Sequence, residues 1–202
     1  MNSKTRNLTS IGVFCAFAYV LTNLGNVIPI RFAGFLSFDP KDVAIVIAGF
    51  ALGPWATLAI SLVVSFIEMI TISGTGPIGF VMNVISSMCF AFIPAFVYKN
   101  RRTFKSALGA LLVSSIITSL VMLLCNYLLT PVYLAPEPEQ IVEVRATVAK
   151  MLLPTFLPFN MIKCFVNTFL VAILYKPVVK ALRKINLAPP SKRKSYEQND
   201  EN

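Results

Sequence analysis

The sequence predicts an all-α integral membrane protein with six transmembrane helices. Three observations support this fold class. Apolar residues make up 56% of the 202 positions and charged residues only 13%, the mean hydropathy is +0.72, and several apolar runs are longer than a soluble core helix needs. This composition excludes a disordered chain and disfavours a soluble globular domain, so function must be sought within a lipid bilayer.

Glycine, proline and charged residues divide the apolar runs into six predicted helices. These helices cover residues 8–28, 42–53, 55–72, 78–98, 107–130 and 153–176. Residues 43–72 could instead form one helix, but at 1.5 Å per residue it would be about 45 Å long, against about 30 Å for the hydrocarbon core. Gly53-Pro54 supplies a break, which predicts two short helices joined by a tight turn.

The chain is predicted to have three parts. These are a short cytoplasmic N-terminus (1–7), a six-helix membrane domain (8–180) and a basic cytoplasmic tail (181–202) that we expect to be disordered. The first apolar stretch is too long for a signal peptide, and no small-residue cleavage pattern follows it. The polar segment 131–150 is predicted to be an external connection. The basic run 192–194 suits anchoring at a membrane surface better than nucleic-acid binding.

Lysine and arginine residues give the orientation of the helices. With six spans, thirteen of them fall on one side and four on the other, if Lys163 inside the last span is set aside. Five spans give the same split, so the positive-inside rule does not fix the number of helices. In either case the loop 99–105 and the tail are predicted to be cytoplasmic, and with six spans both termini are.

The residue types present argue against an enzyme. The sequence has no histidine, so the usual general base and the commonest metal ligand are missing. Its four cysteines lie within apolar stretches and show no CxxC spacing, which indicates neither a zinc site nor a disulfide framework. Residues 74–79 match GxGxxG, but their flanks are predicted membrane helices and no P-loop occurs. The sequence therefore predicts no catalytic residue, no metal site and no cofactor.

The last predicted span carries the strongest candidates for a binding site. A Lys or Asp at the centre of a membrane helix costs about 2.5 to 3.5 kcal/mol, so such groups are functional candidates. Asn160 and Lys163 share a helix face, and Asn167 follows one turn later. An amide beside an ammonium suits a ligand rich in carbonyl acceptors. The structural alternative is that Lys163 reaches the interface or pairs with Glu68, while Asn160 bonds a neighbouring helix.

Two other asparagines extend this set. Asn126 lies near the outer end of the fifth span and Asn83 lies in the fourth. An asparagine amide offers a donor and an acceptor together, the pattern that reads the imide edge of a heterocycle. Glu68 raises a second possibility, a stand-alone proton-coupled transporter, but we expect this carboxylate to reach water beside the polar loop 73–76.

Two further segments suit contacts with a partner or a ligand. Gly12 and Ala16 are four residues apart in the first span and form a small face on which another helix, internal or external, could pack closely. Residues 31–42 link the first two spans and mix aromatic with charged side chains, which suits a lid over an outward-facing pocket.

Several of these motifs resemble the riboflavin-specific S components of energy-coupling factor (ECF) transporters. The resemblance extends from about residue 8 to 180, and PFNxxK and the Asn-Tyr before Pro-x-Tyr are its most specific marks. The motifs are Leu-Ser-Phe-Asp-Pro-Lys-Asp-Val (36–43), Gly53-Pro54, Pro77-Ile78-Gly79 with Asn83, Asn126-Tyr127 before Pro131-Val132-Tyr133, and Leu157-Pro158-Phe159-Asn160-Met161-Ile162-Lys163.

The resemblance implies a six-helix S component in a bacterial cell membrane that binds riboflavin from outside. It would dock on one transmembrane coupling subunit and two cytoplasmic ATPases, so ATP hydrolysis belongs to the partners and riboflavin is a transported ligand rather than a cofactor. S components for thiamine, biotin, folate or pantothenate share the architecture and remain an alternative.

The resemblance also implies roles for particular residues. Asn126, Asn160 and Lys163 would hold the flavin ring. Weaker candidates for the pocket are Asp39, Lys41, Asp42 and Asn83. Gly12 and Ala16 would form the docking face, where relatives usually carry Ala-xxx-Ala. Many relatives also carry a Lys-Asn pair in the third span, where this chain has Val64-Ser65.

Overall fold

The computed structural model describes residues 3–27, 31–32 and 36–184. Within these ranges the chain is almost entirely helical, with one two-stranded antiparallel hairpin. The elements are α1 (Ser3–Val27), β1 (Arg31–Phe32), β2 (Leu36–Ser37), α2 (Lys41–Leu52), α3 (Pro54–Thr71), α4 (Gly76–Arg101), α5 (Phe104–Leu134), α6 (Ile141–Met151) and α7 (Leu157–Lys184). A short 3₁₀ turn, Pro138–Gln140, precedes α6, and a π-helical segment, Leu152–Phe156, joins α6 to α7.

The six predicted helices are present as α1 to α5 and α7. The predicted break between α2 and α3 is confirmed. Gly53 has a φ of 100°, a conformation that favours glycine, and Pro54 begins α3, where its missing N–H breaks no helical hydrogen bond. Because α7 ends at Lys184, the first four residues of the predicted disordered tail are helical, and residues 185–202 lie outside the described residues.

The polar segment 131–150 differs from the predicted connection. The fifth helix continues to Leu134, and α6 occupies most of the remainder. This segment is helical because apolar residues recur at helical spacing at Ile141, Val144 and Val148, and the last of these is buried in the bundle.

The π-helical segment between α6 and α7 has a cause in the sequence. Pro154 lies within it, and Pro158 is the second residue of α7. Because neither proline has an N–H, the regular ladder of helical hydrogen bonds is interrupted twice within two turns. The helix is therefore wider at this π-helical segment, which precedes α7.

The second helix is a short helix in the interior of the bundle. It has 12 residues and is about 18 Å long, too short to cross a hydrocarbon core of about 30 Å. Residues 41–51 are all buried, because α1, α3, α4 and α7 pack around them. Five other helical stretches within the described residues, ending with the run that contains α7, are long and apolar enough to cross a membrane.

The exterior of the bundle is apolar and its interior carries small polar groups. On α3, for example, Leu62, Phe66 and Ile70 are exposed, whereas Ser61 and Ser65 are fully buried. This distribution is the reverse of that in a soluble protein and is typical of helices that face lipid. The chain is therefore a multi-pass membrane protein.

One end of the bundle is strongly basic. Exposed lysines and arginines cluster at this end. We call it the basic end, and its described residues include Lys99, Arg101, Arg102, Lys105, Lys176 and Lys180. Just inside it, aromatic rings close the bundle. Tyr98 and Tyr175 are joined through their hydroxyls, Phe50 lies 4.8 Å from the Tyr98 ring, and Phe104 stacks on Tyr175 at 5.7 Å.

Candidate functional site

Five charged residues lie together in the half of the bundle opposite the basic end. We call them the charge cluster: Asp39, Lys41, Asp42, Glu68 and Lys163. Lys41, Asp42 and Glu68 are only 1 to 3% exposed, and Lys163 is 9% exposed. Burying charges is costly unless they are paired, so the partners of each group decide what the cluster can do.

Lys41 is held by two carboxylates. Its Nζ lies 2.7 Å from Asp39 Oδ2 and also contacts Glu68 Oε2. Asn83 Nδ2 donates a second hydrogen bond, of 3.2 Å, to Glu68 Oε2. These contacts join α2, α3 and α4 and pair the Lys41 ammonium with two carboxylates.

Two expectations about Glu68 are therefore wrong. The carboxylate is buried and does not reach water, and its partner is Lys41 rather than Lys163. The cause is the position of α2. Because this helix begins inside the bundle, Lys41 is a buried residue beside Glu68 and not a charge in an exposed loop.

Lys163 is bound more loosely than Lys41. Its Nζ lies 3.7 Å from Asp42 Oδ2, a distance that allows electrostatic attraction but is too long for a hydrogen bond. The same carboxylate accepts a short hydrogen bond, of 2.5 Å, from Ser87 Oγ through Oδ1. Among the described residues Lys163 has no hydrogen-bond partner, so its three N–H donors remain available to a ligand.

The segment before α2 is tied to three helices through Asp39. Its Oδ1 accepts hydrogen bonds from the Lys41 backbone N–H at 3.0 Å and from Thr22 Oγ1 at 3.4 Å. Asn167 Nδ2 donates to the Asp39 carbonyl oxygen at 3.4 Å. Burial alone would raise the pKa of Asp39, but the nearby ammonium groups of Lys41 and Lys163 outweigh it and lower that pKa below its ordinary value.

The predicted lid, residues 31–42, is described only in part. Residues 33–35 lie outside the described residues. The described part packs closely on the end of α1, since a Cβ added at Gly25 would lie 2.8 Å from both the Phe38 carbonyl oxygen and Pro40 Cδ. This end of the segment is therefore fixed against the bundle.

The predicted asparagines Asn126 and Asn160 are both buried. Each donates one hydrogen bond to its own helix, Asn126 to the Met122 carbonyl at 2.7 Å and Asn160 to the Phe156 carbonyl at 2.8 Å. Thr130 Oγ1 donates to Asn126 Oδ1 at 2.9 Å. Each amide keeps one N–H, and Asn160 Oδ1 accepts no hydrogen bond from the described residues.

Polar contacts set the register between α5 and α7. The hydroxyls of Ser115 and Thr168 are 3.2 Å apart, and the Ser119 hydroxyl lies near the Cys164 thiol. Four residues forward in α5 thus correspond to four residues backward in α7, so the two helices are antiparallel.

This register places the three strongest sequence candidates within about one helical turn of one another along the bundle axis. Continued by one more turn, it sets Asn160 beside Leu123, three residues and about 4.5 Å along the axis from Asn126. Lys163 lies one turn deeper on α7 and reaches Asp42. Asn126, Asn160 and Lys163 therefore lie in the same half of the bundle as the rest of the charge cluster, and Asn83 contacts that cluster through Glu68.

Sequence reasoning missed several polar groups of this region. Ser87 is the clearest, and a signal for it existed because it follows Asn83 by one helical turn. At Val64-Ser65, where many relatives were expected to carry a Lys-Asn pair, both side chains are fully buried. Arg145 of α6 lies over the ring of Tyr127, 5.9 Å from its centroid. Tyr127 is the residue that follows Asn126 in the sequence.

Gly12 and Ala16 lie on an exposed face of α1. Both are exposed, while Phe14, Cys15 and Ala18 on other faces are buried. A Cβ added at Gly12 would meet no atom within 4 Å. Within the described chain, this small-residue face is therefore not used for internal packing.

Comparison with known proteins relates this arrangement to one family. The chain matches the family model of the ECF transporter substrate-specific component over residues 6–175. It is 27% identical over 183 residues to the riboflavin transporter RibU of Staphylococcus aureus (strain TCH60), which covers 90% of this chain and 95% of that protein.

Two more comparisons also cover nearly the whole of both chains. Over 195 residues the chain is 27% identical to the riboflavin transporter FmnP of Bacillus subtilis (strain 168), covering 91% of this chain and 99% of that one. Among solved structures it is similar to the S component of a bacterial ECF transporter, with a TM-score of 0.71 and 26% identity over 89% of this chain and 99% of the other.

Proposed function

Since the chain belongs to the substrate-specific components of ECF transporters, we propose that it binds riboflavin and delivers it across the membrane together with an ATPase-bearing partner. The chain is a transport subunit and not an enzyme. Riboflavin is its cargo rather than a cofactor.

The observation that carries this proposal is the difference between two buried lysines. Lys41 is engaged by Asp39 and Glu68, whereas Lys163 lies 3.7 Å from its carboxylate and keeps its donors. Asn126 and Asn160 lie in the same half of the bundle, and each keeps one amide N–H that the described residues do not use. A buried ammonium with free donors is costly unless a ligand uses it.

The chemistry of riboflavin matches these groups. Its isoalloxazine ring is flat and largely apolar, and one edge presents a carbonyl, an N–H and a second carbonyl. Amides read such an edge because they offer a donor and an acceptor together, and an ammonium adds a strong donor for a carbonyl. Apolar helix faces supply the walls for the rest of the ring.

The names of the relatives support the same ligand. Two relatives that align with nearly the whole chain are named riboflavin transporters. An S component for another vitamin remains the alternative, because the fold alone does not select the ligand.

The weaker candidates have a different role in this proposal. Asp39, Lys41 and Asn83 form the wall of the site by fixing the segment before α2 against α1, α3 and α4. Their polar groups contact one another or Glu68. We therefore assign direct contact with riboflavin to Asn126, Asn160 and Lys163.

We assign the basic end to the cytoplasm, following the positive-inside rule. Both termini are then cytoplasmic, because α2 runs from the charge cluster to the aromatic rings at the basic end and so returns the chain to that side between α1 and α3. The binding site lies in the outer half of the membrane. The partner consists of one transmembrane coupling subunit and two ATPases, and the exposed Gly12 and Ala16 face is its docking surface on α1. The aromatic rings at the basic end separate the site from the cytoplasm, so delivery requires movement driven by that partner.

Fluorescence quenching tests the proposal. Purified protein in detergent is titrated with riboflavin, and we expect quenching that saturates at one riboflavin per chain. Thiamine and biotin, added first in excess, should not prevent it. Absence of quenching, or its loss on addition of thiamine, would overturn the assignment of the ligand.

A matched pair of variants tests the site. Lys163→Met should weaken binding, whereas Lys176→Met on the same helix, at the basic end, should leave it unchanged. Equal affinity of the Lys163→Met variant and the wild type would show that the site lies elsewhere.

A stand-alone proton-coupled transporter is disfavoured by the contacts of Glu68. Its Oε2 is engaged by both Lys41 and Asn83, and the side chain is buried. This carboxylate is therefore poorly suited to exchange protons with water. In proteoliposomes that contain only this chain, we expect no riboflavin uptake when a proton gradient is imposed. Uptake under those conditions would favour the secondary transporter.

A further inference from the structure

Asp42 lies between Lys163 and the fourth helix, and we infer that it is a positioning residue that holds the Lys163 ammonium in place for the ligand. Ser87 in turn fixes Asp42. This role depends on the proposed function, because a positioned ammonium needs a ligand to receive.

The two oxygens of Asp42 have different partners. Oδ1 accepts the 2.5 Å hydrogen bond from Ser87 of α4, and Oδ2 faces Lys163 of α7 at 3.7 Å. Asp42 and Ser87 are only 2% and 1% exposed. Because both oxygens are directed by groups from other helices, the orientation of the carboxylate is fixed.

The separation of 3.7 Å allows Asp42 to attract Lys163 without consuming its donors. A shorter contact would engage the N–H groups, as Asp39 and Glu68 engage those of Lys41. One carboxylate thus compensates the buried positive charge and leaves the ammonium able to donate to a ligand carbonyl.

The fold favours a carboxylate at this position. Asp42 lies in the first turn of α2, where the positive end of the helix dipole stabilises a negative charge. Since α2 begins inside the bundle, Asp42 meets α7 at the level of the predicted site. Asp39 also interacts electrostatically with Lys163, and its carboxylate is turned towards Lys41.

The role of Asp42 is tested by riboflavin affinity in a double-mutant cycle. Asp42→Asn should weaken binding by roughly tenfold or more in the wild-type background. In the Lys163→Met background the same substitution should change the affinity by less than about twofold, because the Lys163 ammonium that Asp42 holds is then absent.

Ser87→Ala provides a milder variant that is expected to fold. It should weaken binding by about 2- to 10-fold. Ser86→Ala is its matched control, since Ser86 is the adjacent buried serine and makes no hydrogen bond to Asp42. This variant should bind as the wild type does.

The absorption spectrum of bound riboflavin distinguishes positioning from general loss of structure. A positive charge at a flavin carbonyl shifts the near-ultraviolet band, so the bands of the Asp42→Asn and Ser87→Ala complexes should move towards that of the Lys163→Met complex. A merely structural defect would reduce the bound fraction and leave the band where it is.

The outcomes separate this role from the proposed function. A wild type that does not bind riboflavin would overturn the proposed function and the role of Asp42 with it. A wild type that binds, with Asp42→Asn and Ser87→Ala equally tight and spectrally unchanged, would overturn the role of Asp42 alone. An equal loss in both backgrounds would overturn it too, because Asp42 would then act independently of Lys163.

Discussion

Lys41 and Glu68 form an ion pair in the interior of the bundle, with side chains that are 1% and 3% exposed. The pair joins α2 to α3; Asp39 also contacts Lys41, and Asn83 also donates to Glu68 Oε2. A buried pair of this kind is sensitive to the loss of one partner, because the other is left as an uncompensated charge.

We predict that Lys41→Met destabilises the protein strongly, by about 3 to 5 kcal/mol, since it leaves Asp39 and Glu68 buried without their ammonium. Thermal unfolding in detergent, followed by circular dichroism, measures this loss. The double variant Lys41→Met/Glu68→Gln should recover part of it, because one of the two stranded carboxylates becomes neutral. A double variant less stable than Lys41→Met would contradict the pairing.

The two buried lysines should respond differently to the same substitution. Lys163→Met removes an ammonium with free donors and a distant partner, so it should weaken riboflavin binding by roughly 10-fold or more. Its melting temperature should fall less than that of Lys41→Met. Both variants are compared by riboflavin titration and by thermal unfolding of the ligand-free protein. If the variant that loses more riboflavin affinity were also the one that loses more thermal stability, the result would argue against separate roles for the two lysines.

The positions of the helices could be predicted from the sequence, because long apolar runs bounded by Gly, Pro and charge directly reflect the thickness of a bilayer. The depth at which α2 lies in the bundle could not be predicted from the sequence. The uncharged run 43–52 has the same hydropathy whether it begins at the membrane surface or inside the bundle. Only packing against α1, α3, α4 and α7 decides between these two depths.

The partners of the charged residues depend on that depth. Asn126, Asn160 and Lys163 could be proposed from spacing on their helices and from the family resemblance. The pairing of Glu68 with Lys41, and of Asp42 with both Ser87 and Lys163, joins residues that are 27 or more positions apart. Periodicity within one helix carries no information about such contacts.

Alanine substitutions at two helical glycines test how closely α2 is packed. A Cβ added at Gly49 would lie 2.4 Å from Thr57 Cγ2 and 2.7 Å from Ala95 Cβ, whereas one added at Gly109 meets nothing within 4 Å. We expect Gly49→Ala to destabilise the protein by about 1 to 3 kcal/mol through overpacking. Gly109→Ala should be neutral or stabilising by up to about 1 kcal/mol. Thermal unfolding of both variants is the measurement, and equal effects would mean that α2 is not packed as closely as the structure has it.

The exposed face of α1 should serve assembly and not ligand binding. Gly12→Leu and Ala16→Leu place bulky side chains where close approach of a partner helix needs small ones. Riboflavin quenching by the isolated subunit should be unchanged, because neither residue touches the site. Copurification with the coupling subunit and ATPases, and ATP-dependent uptake in proteoliposomes, should fall several-fold. Gly12→Ala is the matched control, since it restores the Ala-xxx-Ala pattern expected of the family, and should assemble normally. Normal assembly of the two leucine variants would move the docking surface away from this face.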